Sequence, residues 1–302
     1  MGHLRSGWQH LGDFVYPPCC GLCGGDLCDG DEPDREPLST HLVGVETETV
    51  TQDNAPKGGG TQTSFEVPED DVDQTPFSPG RVGRELVCGR CRENLLPKET
   101  NVCWRCSAPV GPYLKTNSGC VHCARDRFQF TRALALGAYE GELKRVCLLA
   151  KQREQVHISG PLGKLLCERW GAELAAWRPD VVVAVPRHWT TRLRSIEAPP
   201  DVLGEVLADF LLCPLERHIL RKRRRTSPQS TLKPAERRRN LRDAFRMARG
   251  VRLDGCRVLL VDDVLTTGTT ANEVTRTLKS AGAAEVLVAV VARGIGAASG
   301  PT

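Results

Sequence analysis

Residues 257–273, RVLLVDDVLTTGTTANE, set an apolar run against two adjacent carboxylates and then four threonines around one glycine. A run apolar at every position suits a strand buried on both faces, which is typical of parallel sheets covered by helices. The strand is expected over RVLLV. Asp262 and Asp263 would then follow at its carboxyl end, where open α/β sheets bind ligands, and a helix would start near Ala271. A glycine lets backbone approach a ligand closely. Hydroxyls together with the free N–H groups of a helix N-terminus make an anion cradle. Carboxylates repel phosphate, so the acidic pair needs another partner, and sugar hydroxyls can donate to its lone pairs. A ribose 5-phosphate would satisfy both halves. The plain structural alternative is a βα turn in which Asp and Thr act only as caps.

The surrounding chain supports the same fold class. TRALALGAYEGELKRVCLLAK reads as a strand running into a helix. PLGKLLCERWGAELAAW and DVLGEVLADFLL read as helices, DVVVAVP as a short strand stopped by Pro186, and AEVLVAVVA as another buried strand after the helix TANEVTRTLKSAG. Alternating strands and helices predict an α/β fold with a parallel sheet and flanking helices. Hydrophobic residues make up 40% of the 302-residue chain but aromatics only 5%, so the core must be mainly aliphatic. No apolar run approaches the ~20 residues of a membrane span. The N-terminus lacks a continuous apolar signal segment, and the protein is read as cytoplasmic.

Fourteen cysteines are the second constraint. Eight of them form four Cys-x-x-Cys units: Cys20/Cys23, Cys88/Cys91, Cys103/Cys106 and Cys120/Cys123. A two-residue spacer turns both thiolates of a knuckle toward one ion, and two knuckles complete a tetrahedral all-sulfur site suited to zinc. Two structural Zn²⁺ sites are expected, with no coordination position left open for catalysis. Consecutive pairing would join Cys20, Cys23, Cys88 and Cys91 around one ion and Cys103, Cys106, Cys120 and Cys123 around the other. Interleaved pairing is open at this point, as is the replacement of Cys20 by Cys19.

Charge divides the chain. Residues 26–80 carry a net charge of −12 against +4 for the whole molecule. Residues 25–85 are rich in Gly, Pro, Ser and Thr and show no periodicity that would bury a face, so they are expected to form an acidic disordered insertion. Residues 1–24 would supply a short amphipathic helix and the first Cys-x-x-Cys unit, 86–126 the remainder of a double zinc ribbon, and 127–302 the α/β domain. Residues 215–249 hold 13 Lys or Arg against three Asp or Glu. Such an arm could close over a polyanionic ligand, contact nucleic acid, or simply form a solvated charged face. It has no interleaved aromatic platform for stacking single-stranded bases.

VLLVDDVLTTGTT resembles the phosphoribosyl diphosphate (PRPP) signature of type I phosphoribosyltransferases: apolar strand, acidic pair, two residues, then Thr-Gly-x-Thr. With the cysteine pairs in front, the chain resembles the ComF family of competence-associated, phosphoribosyltransferase-like proteins. Further positions match that family: Tyr139, Gly141 and Lys151; Pro186 and Arg187; Thr226, Gln229, Arg237, Asn240, Ala244 and Phe245; Ala292 and Arg293. The resemblance implies a type I phosphoribosyltransferase-like sheet behind a zinc ribbon. It implies that Asp262 and Asp263 hold the ribose hydroxyls and that Thr266, Thr267, Gly268, Thr269 and Thr270 hold the 5-phosphate. Arg187 and Lys151 would neutralise pyrophosphate, with Mg²⁺ bridging pyrophosphate and sugar oxygens. Asp262, Asp263 and Arg187 would carry catalysis, the transfer of phosphoribose to an acceptor that nothing in the sequence specifies. The alternative implied by the family is a non-catalytic or weakly catalytic PRPP-binding accessory protein in competence, with single-stranded DNA or the DNA-uptake machinery as partner. One stretch departs from the pattern. The family usually reads Arg-Gly-Phe-Asn-Gln where this chain has RSIEAPP, 194–200, and Thr266 offers no carboxylate for a purine base.

Overall fold

The computed structural model describes residues 19–25, 64–66, 87–97, 101–114, 116, 119–186, 197–223, 241 and 243–295. In chain order they form β1 (Ser64–Glu66), α1 (Gly89–Leu95), β2 (Arg132–Ala138), α2 (Gly141–Leu149), a 3-10 turn (Arg153–Ile158), α3 (Ser159–Trp177), β3 (Val181–Ala184) and α4 (Pro199–Leu211). There follow β4 (Leu215–Glu216), β5 (Leu220–Lys222), β6 (Phe245–Met247), β7 (Arg252–Asp254), β8 (Arg257–Leu265), α5 (Thr269–Ser280) and β9 (Glu285–Arg293). The expected helix before residue 16, most of the acidic segment, Arg187 and the centre of the basic arm lie outside the described residues.

Five strands make one sheet in the order β2-β9-β8-β3-β4, and every pairing is parallel. The interior strands β8 and β9 are apolar and buried over 258–261 and 286–292, because both of their faces are covered there. Leu259, Val261, Leu287 and Ala289 meet α2, α3 and α4 on one side. Val258, Leu260, Val286 and Val288 meet α5 and the β5–β6 hairpin on the other. Successive residues therefore enter different cores, as the period of two requires. Ala244 and Phe245 belong to the second core, so their fit to the family pattern is a packing requirement. The expected α/β fold with a parallel sheet is the one observed.

Three local features differ from the sequence-based expectation. First, β8 runs on through Asp262 and Asp263 to Leu265, because β9 continues to pair with it as far as Arg293. Second, Pro199 and Pro200 open α4. A fixed φ and a missing N–H cost nothing in the first helical turn, and Asp201 accepts a hydrogen bond from Ala198 N–H at 3.1 Å. The end of the RSIEAPP stretch is thus a helix start. Third, within the segment expected to be disordered, Ser64–Glu66 pairs antiparallel with Arg252–Asp254.

The edge strand β2 is not left open. Ala133 N–H donates to Arg105 O and Ala135 N–H to Ser107 Oγ, while Trp170 Nε1–H donates to Ala135 O. The cysteine-rich segment therefore seals an edge that would otherwise invite another chain. Among the described residues no helix is long and apolar enough to cross a membrane.

Candidate functional site

At the carboxyl ends of β8, β3 and β2 lies a cavity of about 350 Å³ lined by Tyr139, Lys151, Val185 and the unbroken run Asp262–Ala271. Gly268 caps α5 with φ +69°, a conformation that costs a residue with a side chain about 1–2 kcal/mol. A Cβ there would also come within 2.8 Å of the Phe128 ring. The first helical bond runs from Asn272 N–H to Gly268 O, so the N–H groups of Thr269, Thr270 and Ala271 precede the helical ladder. Thr267 and Thr269 hydroxyls bond each other at 2.7 Å. This end of the cavity is an anion cradle of backbone donors and hydroxyls on the positive end of a 12-residue helix.

The acidic pair occupies the floor beside the cradle. Lys151 Nζ lies 3.0 Å from Asp263 Oδ2. Burial opposes the charge on Lys151, but Asp263 outweighs it and raises the ammonium above its ordinary value. Asp262 is pushed well above the usual carboxylate range, first by burial and then by the charge of Asp263. Lys222, on β5 and stacked over Phe245 at 5.7 Å, is pulled down by burial, with Asp262 partly opposing the fall. Each carboxylate thus has a cation in its field, and together they present acceptors to a hydroxylated ligand. Of the residues expected to bind PRPP, the structure brings Lys151, Asp262, Asp263, Thr266, Thr267, Gly268, Thr269 and Thr270 to one cavity. Arg187 lies outside the described residues.

The eight cysteines gather into two groups, Cys20/Cys23/Cys88/Cys91 and Cys103/Cys106/Cys120/Cys123. In each, all four sulfur positions lie within 4.8 Å of one another. This is consecutive pairing, with Cys20 rather than Cys19 in the group. Four Zn–S bonds of ~2.3 Å at tetrahedral angles put sulfurs ~3.8 Å apart. The contacts Cys23–Cys88, Cys103–Cys123 and Cys106–Cys120 measure 3.9, 3.7 and 3.8 Å, far beyond a disulfide bond of ~2.05 Å. The donor chemistry also fits. Backbone N–H groups point at sulfur, from Cys88 and Leu22 to Cys20 and from Cys91 to Cys88. Burial resists ionisation of Cys20, yet these donors hold its thiol down at about 7. Burial and neighbouring thiols push Cys120 up to about 11, so thiolates there need a cation. Both groups fit a zinc ribbon.

Phe128, Arg105, Gln129 and Lys222 gain importance only from the structure, and Arg293 gains a place there that the sequence does not show. Phe128 packs against the second cysteine group and against the core beneath α5, with its ring over Gly268. Arg105 lies over that ring at 5.0 Å and donates to Cys123 O and Asp126 O. Gln129 N–H donates to Asn272 Oδ1, in the first turn and a half of α5. Lys222 reads in sequence as one more member of a basic run. Arg293 is visible there as a family position, but its buried place under the threonine loop is not. Burial and the nearby Arg293 charge also hold His122, inside the last knuckle, below its ordinary value.

Known proteins resemble this chain in sequence. The family description "Phosphoribosyl transferase domain" matches residues 198–299. The chain is 30% identical over 224 residues to the DNA utilization protein YhgH of Salmonella typhi, covering 70% of this chain and 91% of that one. It is 27% identical over 219 residues to Competence protein F of Haemophilus influenzae, covering 70% and 92%. The chain belongs to this ComF/YhgH family of phosphoribosyltransferase-like proteins. Among solved structures, it is similar to the glutamine PRPP amidotransferase of B. subtilis at 25% identity and a TM-score of 0.30, over 47% of this chain and 28% of that one. It is also similar to the purine phosphoribosyltransferase of Pyrococcus horikoshii at 20% identity and a TM-score of 0.25, over 44% and 83%.

Proposed function

We propose that the cavity binds PRPP with Mg²⁺, and that the protein is a phosphoribosyltransferase acting on an acceptor still to be found. The observation that carries this reading is a single cavity with three kinds of group in sequence: an anion cradle at Thr266–Thr270, a carboxylate pair, and an ammonium at Lys151. A 5-phosphate, vicinal ribose hydroxyls and a C1 pyrophosphate present the complementary series. Asp262 and Asp263 would accept from the 2- and 3-hydroxyls, the threonine loop would hold the 5-phosphate, and Lys151 with Arg187 would face pyrophosphate. The two carboxylates are hard oxygen donors of the kind Mg²⁺ accepts alongside phosphate. When bound, the ion would neutralise charge on the departing pyrophosphate. In transfer, the acceptor's lone pair forms a bond to C1 as the C1–O bond to pyrophosphate breaks. The chain's contribution is to position the sugar and stabilise charge. The two cysteine groups would each hold one structural Zn²⁺.

A second reading rests on the relatives' names: a PRPP-binding accessory protein in competence and DNA uptake, with little or no turnover. Two measurements separate the readings. Calorimetry with PRPP and Mg²⁺ should show binding to the wild type and a loss of about 100-fold or more in Asp263→Ala, which removes a group meeting both sugar and Lys151. Pyrophosphate release across a panel of bases and amines then tests transfer. Tight binding without release under any condition would leave the accessory reading, and no binding at all would remove both.

A further inference from the structure

Arg293 ends β9 at the position that pairs with Leu265 on one side and Ala138 on the other, only 2% exposed. Its Nη1, with two N–H bonds, is shared among three backbone carbonyls, Leu265 O at 3.0 Å, Thr266 O and Gly294 O. Its Nε is buried without a hydrogen-bond partner, and among the described residues no acidic side chain forms an ion pair with it. A buried cation of this kind costs stability unless it serves something else.

The carbonyls it collects show what that is. No peptide bond in the described chain is cis. In a trans peptide the N–H points opposite to the C=O. Drawing the Leu265 and Thr266 carbonyls onto Arg293 therefore turns the N–H groups of Thr266 and Thr267 away from it, on the loop that lines the cavity. Gly294 reinforces the latch. Its N–H donates to Leu265 O at 2.8 Å, and a Cβ at that position would meet Thr266 Cγ2 at 3.0 Å. The same guanidinium places an unneutralised positive charge directly beneath the loop, which favours an anion above it.

We propose that Arg293 is the positioning residue of the anion cradle: from below, it orients the Leu265–Thr267 peptides and supplies positive potential, without touching the ligand. The inference rests on the PRPP reading, and it concerns only the 5-phosphate end. The full-length zinc-loaded protein is titrated separately with ribose 5-phosphate and with magnesium pyrophosphate. In Arg293→Ala, ribose 5-phosphate should weaken roughly 10- to 100-fold, the size of a lost charge-assisted interaction, while magnesium pyrophosphate changes by less than about 2-fold. Added methylguanidinium should restore ribose 5-phosphate binding. Arg293→Lys keeps the charge but loses the planar fork, so it should show the same split at smaller size. It is the variant to read if Arg293→Ala does not fold. Equal losses for both probes, or no loss for either, overturn the proposal while leaving PRPP binding intact. Failure of the wild type to bind either probe overturns both.

Discussion

The two cysteine groups are each built from two Cys-x-x-Cys units but serve different parts of the molecule. In the first, Cys23 is exposed and Cys91 only half-buried. Leu22, Val87 and Leu95 beside it pack on the core formed by α2, α3 and α4, and Arg92 pairs with Glu168 of α3 at 2.8 Å. It thus buttresses the helices whose chain leads to Lys151. In the second group all four cysteines are buried. It is joined through Arg105 and Phe128 to Gly268, and through Arg105 and Ser107 to the edge of β2. One cysteine group is therefore a prop on the helical face, and the other is built against the threonine loop. Identical ligand chemistry does not imply identical consequences. What a site controls depends on which side chains its knuckles touch.

The comparison is open to direct attack. The largest difference is expected between Cys106→Ser and Cys91→Ser. Each should lose one zinc by metal analysis, but PRPP affinity should fall roughly 10-fold or more only in Cys106→Ser. Equal losses in the two would break the distinction. Gly268→Ala comes next. It forces a Cβ toward Phe128 in a left-handed conformation and should cost about 2 kcal/mol or more in denaturant unfolding. Adding Phe128→Leu should return part of that, so that the double variant is less than additive. Strict additivity would mean that Phe128 is not the link. The smallest effect concerns Asp262, which neither group contacts. Its folded-state pKa lies above the unfolded value, so the native state binds more protons. Its contribution is then favourable at low pH and is lost as pH rises through the ordinary carboxylate range toward the raised value. Asp262→Asn should raise Tm near neutral pH and lose that gain as pH is lowered. The same gain should appear in the Cys91→Ser background.

Much of the site was legible because its parts are contiguous. Asp262 to Thr270 is a single strand-loop-helix unit, and local chemistry suffices to read it. The end of β8 was not legible, because strand length is set by how far β9 continues to pair beside it, not by where apolar residues stop. The departure at RSIEAPP hides a local signal, because a proline pair after Ala198 is a sound way to begin a helix capped by Asp201. Phe128 carried little signal, and Arg293 stood out only as a family position, with nothing to say what it touches. One is an ordinary aromatic after the last knuckle, and the other ends an apolar strand more than 20 residues after the loop it latches.

The amino-acid order by itself determined the fold class, the two-faced burial of β8 and β9, the cysteine knuckles and the acid–threonine loop, because each depends on residues a few positions apart. Tertiary structure alone decided which knuckles come together, which cysteine group meets the loop, and which cations face the two carboxylates. Those outcomes depend on atoms brought together across the sheet from Cys20, Phe128, Lys151, Lys222 and Arg293. No local spacing encodes such meetings; they follow from the order in which five parallel strands line up.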